Sequence, residues 1–174
     1  MNHTDHVNLL RNAGIMSDQT WADFGAGGGA FTLALAELLN GSGTIYAVDR
    51  DGNALRQQAE PMRARYPAIT AHYWTADFTQ PLVLPPLDGV VMANALHFVT
   101  DQAAMVRQIK RYLRDSGRLA LVEYNTDRGN HWVPYPLAYP TWAALATRCG
   151  FAHTRQISTR PSRFLGEIYA AVSE

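Results

Sequence analysis

Carboxylates and glycines fall in this sequence at intervals that could hold a small ligand. Asp23 stands two residues before Gly25, and Gly27 and Gly29 follow at alternate positions in Asp23-Phe24-Gly25-Ala26-Gly27-Gly28-Gly29. Glycines so placed admit positive φ and let a ligand come close to the backbone. The run Phe31-Thr32-Leu33-Ala34-Leu35-Ala36-Glu37-Leu38-Leu39 has helical spacing, so a helix N-terminus with free amide groups would face the turn. Asp49-Arg50, Asp77-Phe78, Asn94 and Tyr124 each stand at the end of a strand-like run, and His97 lies just past Asn94. Asp49 offers two carboxylate oxygens, enough for a pair of hydroxyls. The imidazole of His97 makes it a candidate for proton transfer, and Tyr124 is a weaker candidate. The bland alternatives are a hydrogen-bonding histidine and a strand-end tyrosine that only packs.

The elements that must position these residues alternate. Residues 5–14 form a short helix ending at Gly14. Strands are expected at Thr20–Phe24, Thr44–Asp49, Ile69–Thr75, Leu87–Asn94 and Arg118–Tyr124. Helices are expected over 29–40, 52–65, from the cap Thr100-Asp101 to about Leu113, and over 140–149. Pro81, Pro85 and Pro86 exclude a long helix between the third and fourth strands. Asp115-Ser116-Gly117 reads as a turn. Two last strands, Phe151–Ser158 and Phe164–Val172, are joined too tightly for a crossover and should run antiparallel. The alternation itself implies a parallel sheet, whose ligands bind beyond the carboxyl ends of the strands.

Bulk properties exclude several classes. A chain of 174 residues with 47% apolar content suits one globular domain. Fifteen basic residues balance fifteen acidic ones, which gives no support for a general nucleic-acid binder. The basic stretch Arg107–Arg114 reads as a solvated helix face rather than an RNA site. Cys149 is the sole cysteine, so no intramolecular disulfide or cysteine-rich metal site can form, and no His, Asp or Glu cluster has metal-ligand spacing. No apolar run approaches the ~18 residues of a membrane span. With no signal pattern either, a cytoplasmic protein is the default.

The pattern Asp23-x-Gly25-x-Gly27-x-Gly29, with Asp49 ending the next strand and a terminal antiparallel hairpin, resembles the class I S-adenosylmethionine (SAM)-dependent methyltransferases. The resemblance runs from about residue 5 onward. It implies an α/β, Rossmann-like seven-stranded sheet of order 3-2-1-4-5-7-6, strand 7 antiparallel, with helices on both faces. It also implies one domain over 1–174 with a minimal N-terminal cap. SAM would be the cofactor and S-adenosylhomocysteine its product. By the same resemblance Asp23, Gly25, Ala26, Gly27 and Gly29 form the loop under the methionine part. Asp49 would take the ribose hydroxyls and Arg50 lie against the adenine. Asp77, the Phe78 amide and Asn94 would supply further contacts, with Asp77 otherwise an ordinary Asx-turn. His97 and Tyr124 are the candidate catalytic residues, and no metal is implied.

The nearest branch methylates quinones and other small metabolites by in-line displacement. About twenty residues precede strand one, and no insert exceeds a loop, so the cleft should be open. That leaves room for a large substrate, a partner protein or a homodimer that closes it. The loop His131-Trp132-Val133-Pro134-Tyr135 either covers a planar substrate or pins itself to the body. Three other readings stand beside this one. A nicotinamide oxidoreductase is allowed by Gly25-x-Gly27-x-x-Ala30 but opposed by the missing Tyr-x-x-x-Lys pair. A macromolecular methyltransferase is the second; Asn94-Ala95-Leu96-His97 lacks the Pro-Pro-aromatic pattern of nucleic-acid amino methylation. A SAM-binding module without catalysis is the third. The lone cysteine leaves no basis for a multi-cysteine arsenic methyltransferase.

Overall fold

A computed structural model describes residues 1–174. The elements, in chain order, are α1 (His3–Leu10), β1 (Thr20–Phe24), α2 (Ala30–Leu38), β2 (Gly43–Asp49), α3 (Gly52–Arg65), β3 (Ile69–Thr75) and β4 (Leu87–Ala93). A 3-10 turn at Leu96–Phe98 leads into α4 (Gln102–Tyr112), β5 (Leu113–Tyr124), α5 (Tyr139–Arg148), β6 (Thr154–Ser162) and β7 (Gly166–Ser173). They build one seven-stranded sheet of order β3-β2-β1-β4-β5-β7-β6. The first five strands pair in parallel, and β7 runs antiparallel to both β5 and β6. Fold, strand order and the reversed strand all agree with the expectation.

Helices cover both faces because the central strands are apolar on both sides. One core joins Phe24, Val90, Met92, Leu119 and Leu121 to Met105, Val106 and Ile109 of α4 and Trp142 and Leu145 of α5. The other joins Trp21, Ile45, Val91, Ala120 and Val122 to Leu9 and Leu10 of α1 and Leu35 of α2. Trp21 is fully buried, and a side chain at Gly89 on neighbouring β4 would run into its indole. No helix is long and apolar enough to cross a membrane.

Boundaries differ from the reading in a few places, each with a local cause. The helix expected to run to Gly14 stops at Leu10, and Gly14 lies beyond it at φ 73°. The expected turn Asp115-Ser116-Gly117 is inside β5. Leu87 pairs with Leu113 and Gly89 with Arg118, so residues 114–117 bulge opposite Asp88. An Arg114–Asp88 ion pair at 2.8 Å holds that bulge to β4. The last two strands begin at Thr154 and Gly166, later than expected, and Gly166 takes φ 82° after the hairpin turn.

Candidate functional site

β1 sits between β2 and β4, so the chain leaves it in opposite directions on either side and opens a crevice at its carboxyl end. A cleft of about 290 Å³ occupies that position. Gly25, Asp49, Arg50, Phe78 and Asn94, all named from the sequence, line it together. Thr79, Ala95, Phe98 and Val99 complete the wall.

The glycine loop has a physical reason at two positions. Gly25 takes φ 80°, and a Cβ there would lie 2.6 Å from the Ala95 methyl. Gly29 takes φ 85° as the N-cap of α2, and a Cβ there would lie 2.6 Å from Gln58 Cβ. Around Gly27 and Gly28, by contrast, there is open space where a side chain would stand. The loop is packed below and open above. Gly25 and Ala26 both donate to the Val48 carbonyl, which ties the turn to the end of β2.

Asp23 is 1% exposed and accepts a 2.7 Å hydrogen bond from the Thr32 hydroxyl of α2. Burial pushes its pKa up to about 7; the Thr32 bond works against the rise and the Asp49 charge adds to it. It lies beneath the loop rather than in the cleft wall. Asp49 Oδ2 accepts from the Gly27 amide and Oδ1 from the Asp51 amide, each at 2.8 Å. Asp49 is free of helix capping, because Asp51 caps α3 by accepting from the Asn53 and Ala54 amides. Each Asp49 oxygen therefore keeps a lone pair for a ligand, in an orientation set by backbone.

Arg50, in the cleft wall, forms an ion pair at 2.6 Å with Asp77, which does not itself line the cleft. Asp77 is also the Asx-turn acceptor, taking the Thr79 amide at 2.9 Å and the Thr79 hydroxyl at 2.7 Å. Burial alone would raise its pKa, but those Thr79 bonds and the Arg50 guanidinium outweigh it and hold the carboxyl below its ordinary value. Asn94 takes φ 50°, and its Oδ1 is buried without a hydrogen-bond partner. An unpaired buried acceptor on a cleft wall suits a ligand that brings a donor.

His97 is 3% exposed, and its Nδ1 meets Glu123, which is fully buried, at 2.8 Å. Glu123 also accepts from the Tyr124 amide at 2.8 Å. Glu123 escaped the sequence reading, although a lone acid closing the run Leu119-Ala120-Leu121-Val122 was the available signal. Neither His97 nor Tyr124 lines the cleft; Phe98 does, 60% exposed, with its ring 4.3 Å from that of His97. The Tyr124 ring lies 6.2 Å from His97 on one side and 5.8 Å from Phe164 on the other. Burial, then the Glu123 charge, raises the Tyr124 pKa.

The loop after β5 is pinned by other groups than its exposed aromatics. Trp132 is 71% exposed, while Val133 and Leu137 are buried. The Tyr135 amide donates to the His97 carbonyl, and Gln102 donates to the Tyr135 carbonyl.

Residues 22–121 match the protein family described as a methyltransferase domain. A 2-phytyl-1,4-naphtoquinone methyltransferase of Trichormus variabilis is 25% identical over 117 residues, 67% of this chain and 51% of that protein. An uncharacterized methyltransferase of Mycobacterium tuberculosis is 35% identical over 111 residues, 64% of this chain and 42% of that protein. The matched stretch thus spans about half or less of these relatives. Among solved structures, a SAM-dependent methyltransferase from Aquifex aeolicus superposes with TM-score 0.73 at 17% identity, covering 97% of this chain and 88% of that one.

Proposed function

The chain belongs to the methyltransferase domain family, and from that membership we propose that it binds SAM in the cleft at the end of β1 and methylates a small-molecule acceptor. The observation that carries the reading is the orientation of Asp49: its two oxygens are fixed by the Gly27 and Asp51 amides at the wall of the cleft. The residues fit the cofactor. Asp49 keeps acceptor capacity for a diol, Asn94 Oδ1 has no partner, and the loop is open over Gly27 and Gly28. Bound there, SAM would supply a methyl carbon on a sulfonium, displaced in line by the acceptor.

In this reading the residues divide the work. Asp77 and the Phe78 amide hold the adenine edge, with the Arg50 guanidinium beside it. Gly25, Ala26, Gly27 and Gly29 shape the floor, and Asp23 sets the loop from beneath. Asn94 accepts a donor from the methionine part. His97 can hold a proton at Nε2 while Glu123 fixes Nδ1, and Tyr124 packs against it. The rings of Phe98, His97, Tyr124 and Phe164 follow one another from the cleft wall, which favours a planar acceptor. The named naphtoquinone relative supports the same choice. In this reading residues 1–174 act as one domain, and the acceptor or a second copy would cover the cleft.

Titration calorimetry with SAM, S-adenosylhomocysteine and NADH tests the cofactor. Binding of both adenosyl ligands, abolished in Asp49→Ala and absent for NADH, is expected. Methyl transfer to a panel of quinols and phenols then tests the acceptor. Turnover only on protein or RNA would replace the small-molecule reading, and adenosyl binding without any turnover would leave a non-catalytic module.

A further inference from the structure

We propose that Gln58 is a positioning residue for cofactor recognition: it fixes the Gly27 peptide so that Asp49 is held ready for a ribose diol. The inference rests on the reading that this cleft takes SAM. α3 buries Leu55, Gln58 and Met62, a helical stripe on which an amide stands between two apolar side chains. Gln58 is 1% exposed while Gln57 beside it is exposed. A buried amide at a core position costs stability unless it is bonded, so its placement calls for a specific partner.

That partner is the tip of the glycine loop. Gln58 Nε2 donates to the Gly27 carbonyl at 2.9 Å. A carbonyl can be met only by a donor, which fixes which way the amide faces. The Gly27 amide nitrogen donates in turn to Asp49 Oδ2 at 2.8 Å. The same residue is thus gripped at its carbonyl from α3 and at its N–H from the end of β2. Gly27 takes φ 49° with open space beside it, so no packing of its own holds that orientation. The absence of a side chain at Gly29 follows from the same arrangement, since Gln58 Cβ fills the place where one would go. Gln58 touches no surface of the cleft and acts through Gly27 on Asp49. Its Oε1 is buried and unpartnered, so the amide is retained with half of its capacity unused.

The test is binding of S-adenosylhomocysteine and of its 2′-deoxy analogue by calorimetry, with urea unfolding alongside. Gln58→Leu removes the donor, and Gln58→Met does so with an unbranched chain of similar length. Losing this bond should weaken S-adenosylhomocysteine about tenfold. Because the loss acts through Asp49, the preference of the wild type for the full diol over the 2′-deoxy analogue should collapse in both variants, whatever their urea midpoints. Undiminished affinity, or an equal loss for both ligands with the preference intact, overturns the proposal. If the wild type binds neither ligand, the cofactor reading itself falls; if the wild type binds and the variants match it, only the role of Gln58 does.

Discussion

Asp23→Asn should make this protein more stable at alkaline pH than the wild type. The carboxyl is 1% exposed, and its pKa rises from the ordinary 3.8 to about 7, chiefly because burial disfavours the charged form. A raised carboxyl pKa means that the native state holds a proton that the unfolded chain has released. Stability from this group therefore falls as pH climbs from about 4 to about 7 and stays low above that. At about 1.4 kcal/mol per pH unit, the full span costs the wild type on the order of 4 kcal/mol. Between pH 5 and pH 8 the change is about 2.6 kcal/mol, since part of the cost is already present at pH 5. Asparagine never ionises and can still accept the Thr32 hydroxyl through its carbonyl oxygen. Urea unfolding of both proteins at pH 5, 6.5 and 8 reads the difference, and titrating groups that do not interact with Asp23 cancel in the comparison. The variant should gain on the wild type steadily across the series. Parallel pH profiles, or a variant that loses ground at pH 8, would refute the reasoning.

Three further outcomes are expected. Gly25→Ala must carry a side chain at φ 80° against the Ala95 methyl; a loss of about 2–4 kcal/mol, read by urea unfolding, should come with loss of adenosyl binding. Glu123→Ala leaves the buried His97 ring without its Nδ1 partner and should cost about 3 kcal/mol or more, whereas Glu123→Gln, which can still accept, should cost much less on the same scale. Arg50→Ala breaks an ion pair whose arginine is 69% exposed, so melting should shift by less than about 1 kcal/mol in stability even if adenosyl affinity changes.

The parts of this site legible in the sequence are those whose chemistry is local. Gly25 and Gly29 announce a turn because no other residue takes that backbone cheaply, and Asp49 and Asp77 stand at the ends of runs that can only be strands. The sheet order came from a resemblance, and the hairpin from a connection too short to cross over. Gln58 and Glu123 were missed for a different reason. Gln58 lies in the most polar helix of the chain, where one more amide is unremarked, and its partner Gly27 is 31 residues away. Glu123 meets His97 across 26 residues. Only packing reveals which partner either one meets. The bulge at 114–117 was hidden likewise, because Asp115-Ser116-Gly117 carries the composition of a turn and only its register against β4 makes it strand.

The place of β7 has a consequence for how the chain is made. It is the last strand in sequence, yet it lies inside the sheet, between β5 and β6. On the ribosome, the glycine loop and every strand that flanks it have emerged while β5 still presents a bare edge of unpaired N–H and C=O groups. β6 can find its place only through β7, so neither strand of the hairpin can dock before residues 166–173 are synthesised. Until then the nascent chain offers β5 to any other strand. Aggregation of stalled or truncated chains, rather than slow formation of the cofactor loop, is the hazard built into this topology.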